Sequence, residues 1–432
     1  MASPTPPGAP RRSRPVVYVH VGAAKSGTTY VQNILWLNRD RLRRAGVLYP
    51  GRDVAAHVRA AFDLRRAFFP GASDPLIPGS WPELLAEVRD WPGTSIISQE
   101  LFAPAGPGQI ERALADLDFA EVHVVFTVRD LARQIPAHWQ EDVKNRFTTD
   151  FADFVAQIKR PDWRDHRIAR LFWGLQDPVA VLERWGAALP PERVHVVTLP
   201  RPGAPRDLLW RRFCAATGLD PEVCDPSASF GNPSLGLAET QFLLRLNQAL
   251  DERVGWHVYN EEVKHFLAQD TLTRRPDPEK ITLPAEELPW TVEWAARTVA
   301  ELRAASYTVH GDLAELVPEA PAGGRAAERH PDDPRWPEMA DVGMETIATL
   351  LERLRSREAR SADVPGAGLS RDERVDALEQ DLAALLERTD RLVHEAAPLP
   401  RRTVRQVTER YPETTRLLRA AYRRVQAKVN DK

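Results

Sequence analysis

The residues 20–29, "HVGAAKSGTT", hold the types and spacing that could do chemistry. Gly22 and Gly27 keep the separation of a phosphate-binding loop, and hydroxyls follow at Thr28 and Thr29. In nucleotide-phosphate loops the lysine comes directly after the second glycine and reaches the β- and γ-phosphates, while the next hydroxyl and a distal Asp hold Mg²⁺. Here the only lysine is Lys25, inside the loop, three positions early. A Gly-rich turn between strand and helix aims backbone N–H groups and the positive helix end at an anion. A lysine within that turn can sit beside the bridging oxygen between a phosphate and the group being transferred from it. There it neutralises a leaving phosphate without metal.

"AAKSGTT" resembles the 5′-phosphosulfate loop, commonly Pro-Lys-Ser-Gly-Thr-Thr, of sulfotransferases that use 3′-phosphoadenosine 5′-phosphosulfate (PAPS); Ala24 replaces the proline. The resemblance implies that Gly22, Lys25, Ser26, Gly27, Thr28 and Thr29 hold the donor, with adenosine 3′,5′-bisphosphate as product and no metal. It also implies a second signature for the 3′-phosphate: a strand ending in arginine, with a serine eight positions on. "VVFTVRDLARQIPAHW" supplies Arg129, but Ala137 stands at the serine's place. Charge-assisted bonds are roughly twice as strong as neutral ones, so that loss should weaken donor binding rather than abolish it. "FGNPSLGL" offers Asn232, Ser234 and Gly236 where the family closes a nucleotide-gripping loop. The plainer readings are an N-cap for Ser234 and a salt bridge to a neighbouring acid for Arg129. The resemblance spans residues 16–316, and "DLARQIPAHWQEDVKN" with "GVLYPG" looks like a bacterial sulfotransferase-like branch.

Sulfuryl transfer to a hydroxyl or amine needs a base within reach of the acceptor. Glu100, after the run "SIIS", is preferred, and His57, on a helix after the loop helix, is the alternative. Their plainer readings are a helix-start carboxylate and an exposed helical histidine. Ala137, Glu141 and Lys144 share one helix face, where the two charges either touch the acceptor or form a solvated ion pair, the more common case. His123 and His195 read as structural. No histidine or cysteine pair has metal-ligand spacing, and Cys214 and Cys224 read as reduced thiols. Trp36, Phe68, Phe69, Trp139 and Trp173 could line an apolar pocket, although aromatics at such spacing are more often core.

These residues must be positioned by a scaffold, and the sequence suggests which. Short β-branched runs at 16–21, 94–98, 122–128 and 193–199 alternate with helical segments, the pattern of a parallel α/β sheet covered on both faces. The expected fold is a P-loop NTPase-like central parallel β-sheet flanked by helices, with a helical C-terminal extension. Ligands in such sheets lie beyond the carboxyl ends of the strands, where the loop, Glu100 and Arg129 fall. Residues 1–15 are expected to be a disordered arm, 16–360 the α/β domain and 361–432 a helical tail. In that tail Val375, Leu378, Leu382, Leu385 and Leu392 recur at helical steps, and the last helix is basic. Self-association or contact with a membrane surface would suit it.

The chain has 432 residues, 43% hydrophobic and 28% charged, with a net charge of −3. That balance gives no support for a nucleic-acid partner, which would want a basic excess, so any basic site is local. No apolar run approaches the ~18 residues of a membrane span, and a cytoplasmic location is expected. The acceptor is expected to be a small molecule or glycan. Two other classes stay open: a P-loop kinase or NTPase using Mg-ATP, and a catalytically inactive member of the fold serving as a binding or assembly module.

Overall fold

The computed structural model describes residues 14–67, 74–228, 234–251, 253–319, 329–333 and 336–362. The expected N-terminal arm (apart from Arg14 and Pro15), Phe68, Phe69, Asn232 and the tail beyond Ala362 lie outside the described residues.

The four β-branched runs become strands β1 (Val16–His20), β3 (Thr94–Ser98), β4 (Glu121–Val128) and β5 (Val194–Thr198). Two short strands join them, β2 (Val47–Leu48) and β6 (Thr308–His310), too brief to show a period in sequence. All pairs are parallel, in the order β2-β3-β1-β4-β5-β6. β1 sits between β3 and β4, with Val16 opposite both Thr94 and Glu121. The chain thus leaves β1 toward one edge and later crosses to the other, which makes the carboxyl end of β1 the switch point where such sheets bind ligands.

Successive strand residues point to opposite faces, and here both faces are covered. Ile96, Val125 and Val197 pack on one side against Val31, Ile34, Trp210 and Phe213. Ile97, Val124 and Val196 pack on the other against Trp81, Leu84 and Trp185. Burial on both sides is why these strands read as unbroken apolar runs. Cys214 and Cys224 are unpaired and buried in the first of these layers.

A third apolar cluster forms away from the sheet around the helix Leu131–Lys144. Leu131, Ile135, Trp139 and Val143 recur every four residues and bury one stripe against Phe154, Phe172, Trp173 and Leu243. Trp139 and Trp173 are therefore core, not pocket lining. The opposite, polar stripe of the same helix is left to face the carboxyl edge of the sheet. Two units divide the chain between Glu345 and Thr346, within the helix Trp336–Ala362. Among the described residues no helix is long and apolar enough to cross a membrane.

Two buried histidines fasten the sheet's carboxyl edge, and burial pushes each down to about 4. His20 bonds Ser98 Oγ at 2.8 Å and Thr127 Oγ1 at 3.3 Å, and His57 bridges two backbone groups described below. Unfolded histidines titrate near 6.5, so on acidification the unfolded chain takes up these protons first. The stability they lend is complete above about pH 6.5 and is withdrawn as pH falls toward 4, at about 1.4 kcal/mol per pKa unit per group. Thermal melts from pH 7.5 to 4.5 should show a falling midpoint, and His20→Gln should flatten that slope. A midpoint indifferent to pH over this window would contradict the assignment.

Candidate active site

The chain leaves β1 and makes its turn as an extension of the β1–β4 pairing. Val21 N–H and Ala23 N–H donate to the carbonyls of Val125 and Thr127, at 3.0 and 2.6 Å. Gly27 then turns the chain into the helix Thr28–Leu37 with φ of +85°, and a Cβ there would come within 2.4 Å of Leu209 Cδ2. The left-handed backbone favours glycine at 27. Gly22 also has positive φ, +143°. Among the described residues no backbone carbonyl accepts from the amides of Gly27, Thr28 and Thr29, the unpaired donors expected at a helix start.

Ser26 differs from the expectation. Its side chain is buried and turned inward, donating to Ala23 O at 2.5 Å and lying 2.6 Å from Thr127 Oγ1. It holds the loop's shape from beneath, so the donors facing the cleft are backbone amides, Thr28, Thr29 and Lys25.

The loop forms one end of a cleft of about 2670 Å³, lined also by Glu100, Arg129, Ala137, His138, Glu141, Asp142, Lys144, Ser234 and Lys264. Small-ligand sites are typically ~300–1,000 Å³, so there is room for a donor and an acceptor together. Lys25 Nζ reaches across to Glu141 Oε2 at 3.2 Å. Lys144 Nζ meets the same oxygen at 2.6 Å, and Lys264 Nζ donates to Asn145 Oδ1 at 2.7 Å. Burial opposes a charge on Glu141, yet Lys144, Lys25 and Lys264 outweigh it and hold the carboxyl well below its usual range. The expected solvated pair of Glu141 and Lys144 is thus a half-buried cluster in which Lys25 joins the pair and Lys264 stands nearby.

Arg129 follows the end of β4 as expected, and among the described residues it makes no salt bridge of the kind the plainer reading wanted. Its Nη1 donates to Lys25 O at 3.0 Å, Nη2 donates to Arg133 O, and its buried Nε has no partner. Burial pushes it down to about 10. Asp130 is committed elsewhere, to the backbone N–H and guanidinium of Arg133. A buried guanidinium that meets only carbonyls is poised for an anion.

The two proposed bases part company. Glu100 stands in the short turn after β3, lines the cleft, and accepts from Gln32 Nε2 at 3.0 Å. His57 is buried rather than exposed: Nε2 donates to Pro50 O at 2.8 Å and Nδ1 accepts from Ser98 N–H at 3.0 Å. With both nitrogens spent on backbone and the ring outside the cleft lining, His57 ties the start of its own helix to β3. Ser234 is exposed on the cleft wall, and Gly236, at the start of the helix Leu237–Leu250, is buried.

A network not foreseen in the sequence lies beside Glu141. Gln176 Nε2 donates to Ala24 O at 3.1 Å and to His138 Nδ1 at 2.9 Å, and Gln134 donates to Ala24 O and to Gln176 Oε1. His138 Nδ1 then accepts, so Nε2 carries the proton and points at Asp142 Oδ1, 3.5 Å away. Burial pushes His138 down to about 4; burial, then Glu141, pushes Asp142 well up. Gln134, His138 and Glu141 fall at i, i+4 and i+7 of one helix, a polar face that could have been read. Lys264 had no such signal, coming from Tyr259–Thr271, a π-wound segment more than a hundred residues away.

No known family profile matches the chain, and no curated protein matches it. It is similar to the crystal structure of a sulfotransferase from Alicyclobacillus acidocaldarius, with 17% identity over 70% of this chain and 99% of that one, and a TM-score of 0.42. A likeness at that level bears on neither activity nor substrate.

His57→Ala should destabilise the fold by about 2–5 kcal/mol, since it opens a cavity and orphans the Pro50 carbonyl and Ser98 amide. Binding of a bisphosphate nucleotide per folded molecule should be unchanged. Normal stability in denaturant titration with lost ligand binding would return His57 to the site.

Proposed function

We propose that this protein is a sulfotransferase that moves a sulfuryl group from PAPS to a hydroxyl or amine of a small-molecule or glycan acceptor. The observation that carries the reading is Lys25: the loop's only lysine projects into the cleft toward the opposite wall, from within the turn rather than after it. At that position an ammonium neutralises the oxygen that joins a 5′-phosphate to the group leaving it, while the amides of Gly27, Thr28 and Thr29 bind the phosphate itself. Arg129 supports the second half. Its buried guanidinium has no carboxylate partner among the described residues and stands one strand away from the loop, where a 3′-phosphate would satisfy the unpaired Nε. Ala137 gives no hydroxyl, and Ser234 on the same cleft is a hydroxyl that could take the serine's part.

In this reading the chain's own groups do three things. The loop amides and Arg129 fix the donor at its two phosphates. Lys25 stabilises charge that develops only as the bond to sulfur breaks, so it lowers the barrier more than it strengthens binding. Carboxylates on the cleft wall, Glu100 and Glu141, stand where a proton from the acceptor can go.

Calorimetry should detect metal-independent binding of adenosine 3′,5′-bisphosphate and little binding of ATP with Mg²⁺. Preference for Mg-ATP would favour a kinase or NTPase instead. Lys25→Ala should cost about 3 kcal/mol of barrier, roughly a hundred-fold in release of labelled sulfate from the donor, with a much smaller loss of bisphosphate affinity. Arg129→Ala should show the reverse pattern, and normal bisphosphate binding by that variant would remove the 3′-phosphate assignment.

A further inference from the structure

Lys25 is already engaged. Its ammonium lies 3.2 Å from Glu141 Oε2, on an oxygen that Lys144 also holds at 2.6 Å, with Lys264 adding its field. Glu141 Oε2 is thus shared between two ammoniums, one from the loop and one from its own helix. An incoming anion competes with Glu141 for one of them. Lys25 is the member able to change partners, because it comes from the loop, whereas Lys144 lies one turn along Glu141's own helix and is nearly buried.

We infer that Glu141 is a latch on Lys25 and, once released, the proton acceptor; the inference rests on the sulfotransferase reading of this site. Donor binding draws Lys25 from Glu141 onto the bridging oxygen. Glu141 keeps its position through Lys144 but loses one of its neutralising charges, and so becomes a stronger base at the moment the donor is in place. In the transfer step the acceptor oxygen forms its bond to sulfur as the bond from sulfur to the bridging oxygen breaks. The electron pair of that bond leaves on the 5′-phosphate beside Lys25, and the acceptor's proton passes to Glu141. Without the donor, Glu141 stays paired and a poor base, which imposes an order: donor first, then acceptor. His138 and Asp142 act behind Glu141 as positioning residues, since Gln176 links His138 to the loop carbonyl of Ala24.

A double-mutant cycle tests the latch, with adenosine 3′,5′-bisphosphate as the probe in calorimetry. Glu141→Gln keeps the side chain's shape, removes the competing charge, and should tighten the bisphosphate about five-fold, the upper range for one half-exposed ion pair. In a Lys25→Ala background the same substitution should give no tightening, because the gain acts through Lys25. Release of labelled sulfate from PAPS to water should meanwhile fall about a hundred-fold in Glu141→Gln and be partly restored in Glu141→Asp. Unchanged or weaker bisphosphate binding by Glu141→Gln, or an equal gain in both backgrounds, would overturn the latch; undiminished sulfate release would overturn the base. A wild-type protein that fails to bind the bisphosphate would instead sink the reading of the site as a whole. If Glu141→Gln fails to fold by its thermal melt, Glu141→Ala with Lys144→Met, which removes the carboxylate and its nearest partner together, keeps the cycle measurable.

Discussion

Thr127, wholly buried near the end of β4, gathers the groups that shape the anion loop. Its hydroxyl donates to Gly22 O at 2.8 Å, lies 2.6 Å from Ser26 Oγ, and is 3.3 Å from His20 Nε2, while its carbonyl accepts from Ala23 N–H and lies 3.0 Å from Ser26 Oγ. Buried polar groups are costly unless paired, so this knot admits few alternative arrangements. The consequences run outward from it. With residues 22–26 fixed from below, the loop's remaining amides and Lys25 have only the cleft to face, and the Arg129 guanidinium can rest on the Lys25 carbonyl.

The cleft is organised by charge more than by apolar contact. Apolar residues of the Leu131–Lys144 helix are spent on the third core, and its other side carries Gln134, His138, Glu141 and Lys144 to the loop. Those side chains sit in partly desolvated surroundings, where opposite charges interact more strongly than in water and a change of partner shifts proton affinity. Asp142 and His138 show the same environment acting on neighbouring groups, the acid pushed up and the imidazole down.

Much of this was legible in the residues. Four of six strands announced themselves because both faces are buried, and β2 and β6 did not because two or three residues carry no period. Gly22, Lys25 and Gly27 marked the loop through their spacing, and Arg129 through its place after a strand. What escaped was burial. Ser26 and His57 have side chains equally suited to ligands or to backbone, and only the packing around Thr127 and Pro50 decides. His138 and Gln134 went unread, since a one-dimensional pattern cannot tell a helix face turned to water from one turned to a neighbouring loop.

The pairing of β1 with β4 has a further meaning for how the molecule comes into being. Gly22 and Thr127 are separated by 105 positions, and the bonds that hold Gly22, Ala23 and Ser26 to Thr127 cross that gap. Closing so long a segment costs chain entropy before any contact repays it, and parallel pairing of distant strands is intrinsically slow. A ribosome exposes the glycines and the lysine well before their partner strand. The loop's residues are thus made early relative to the strand that shapes them, and its form is acquired only when that strand arrives.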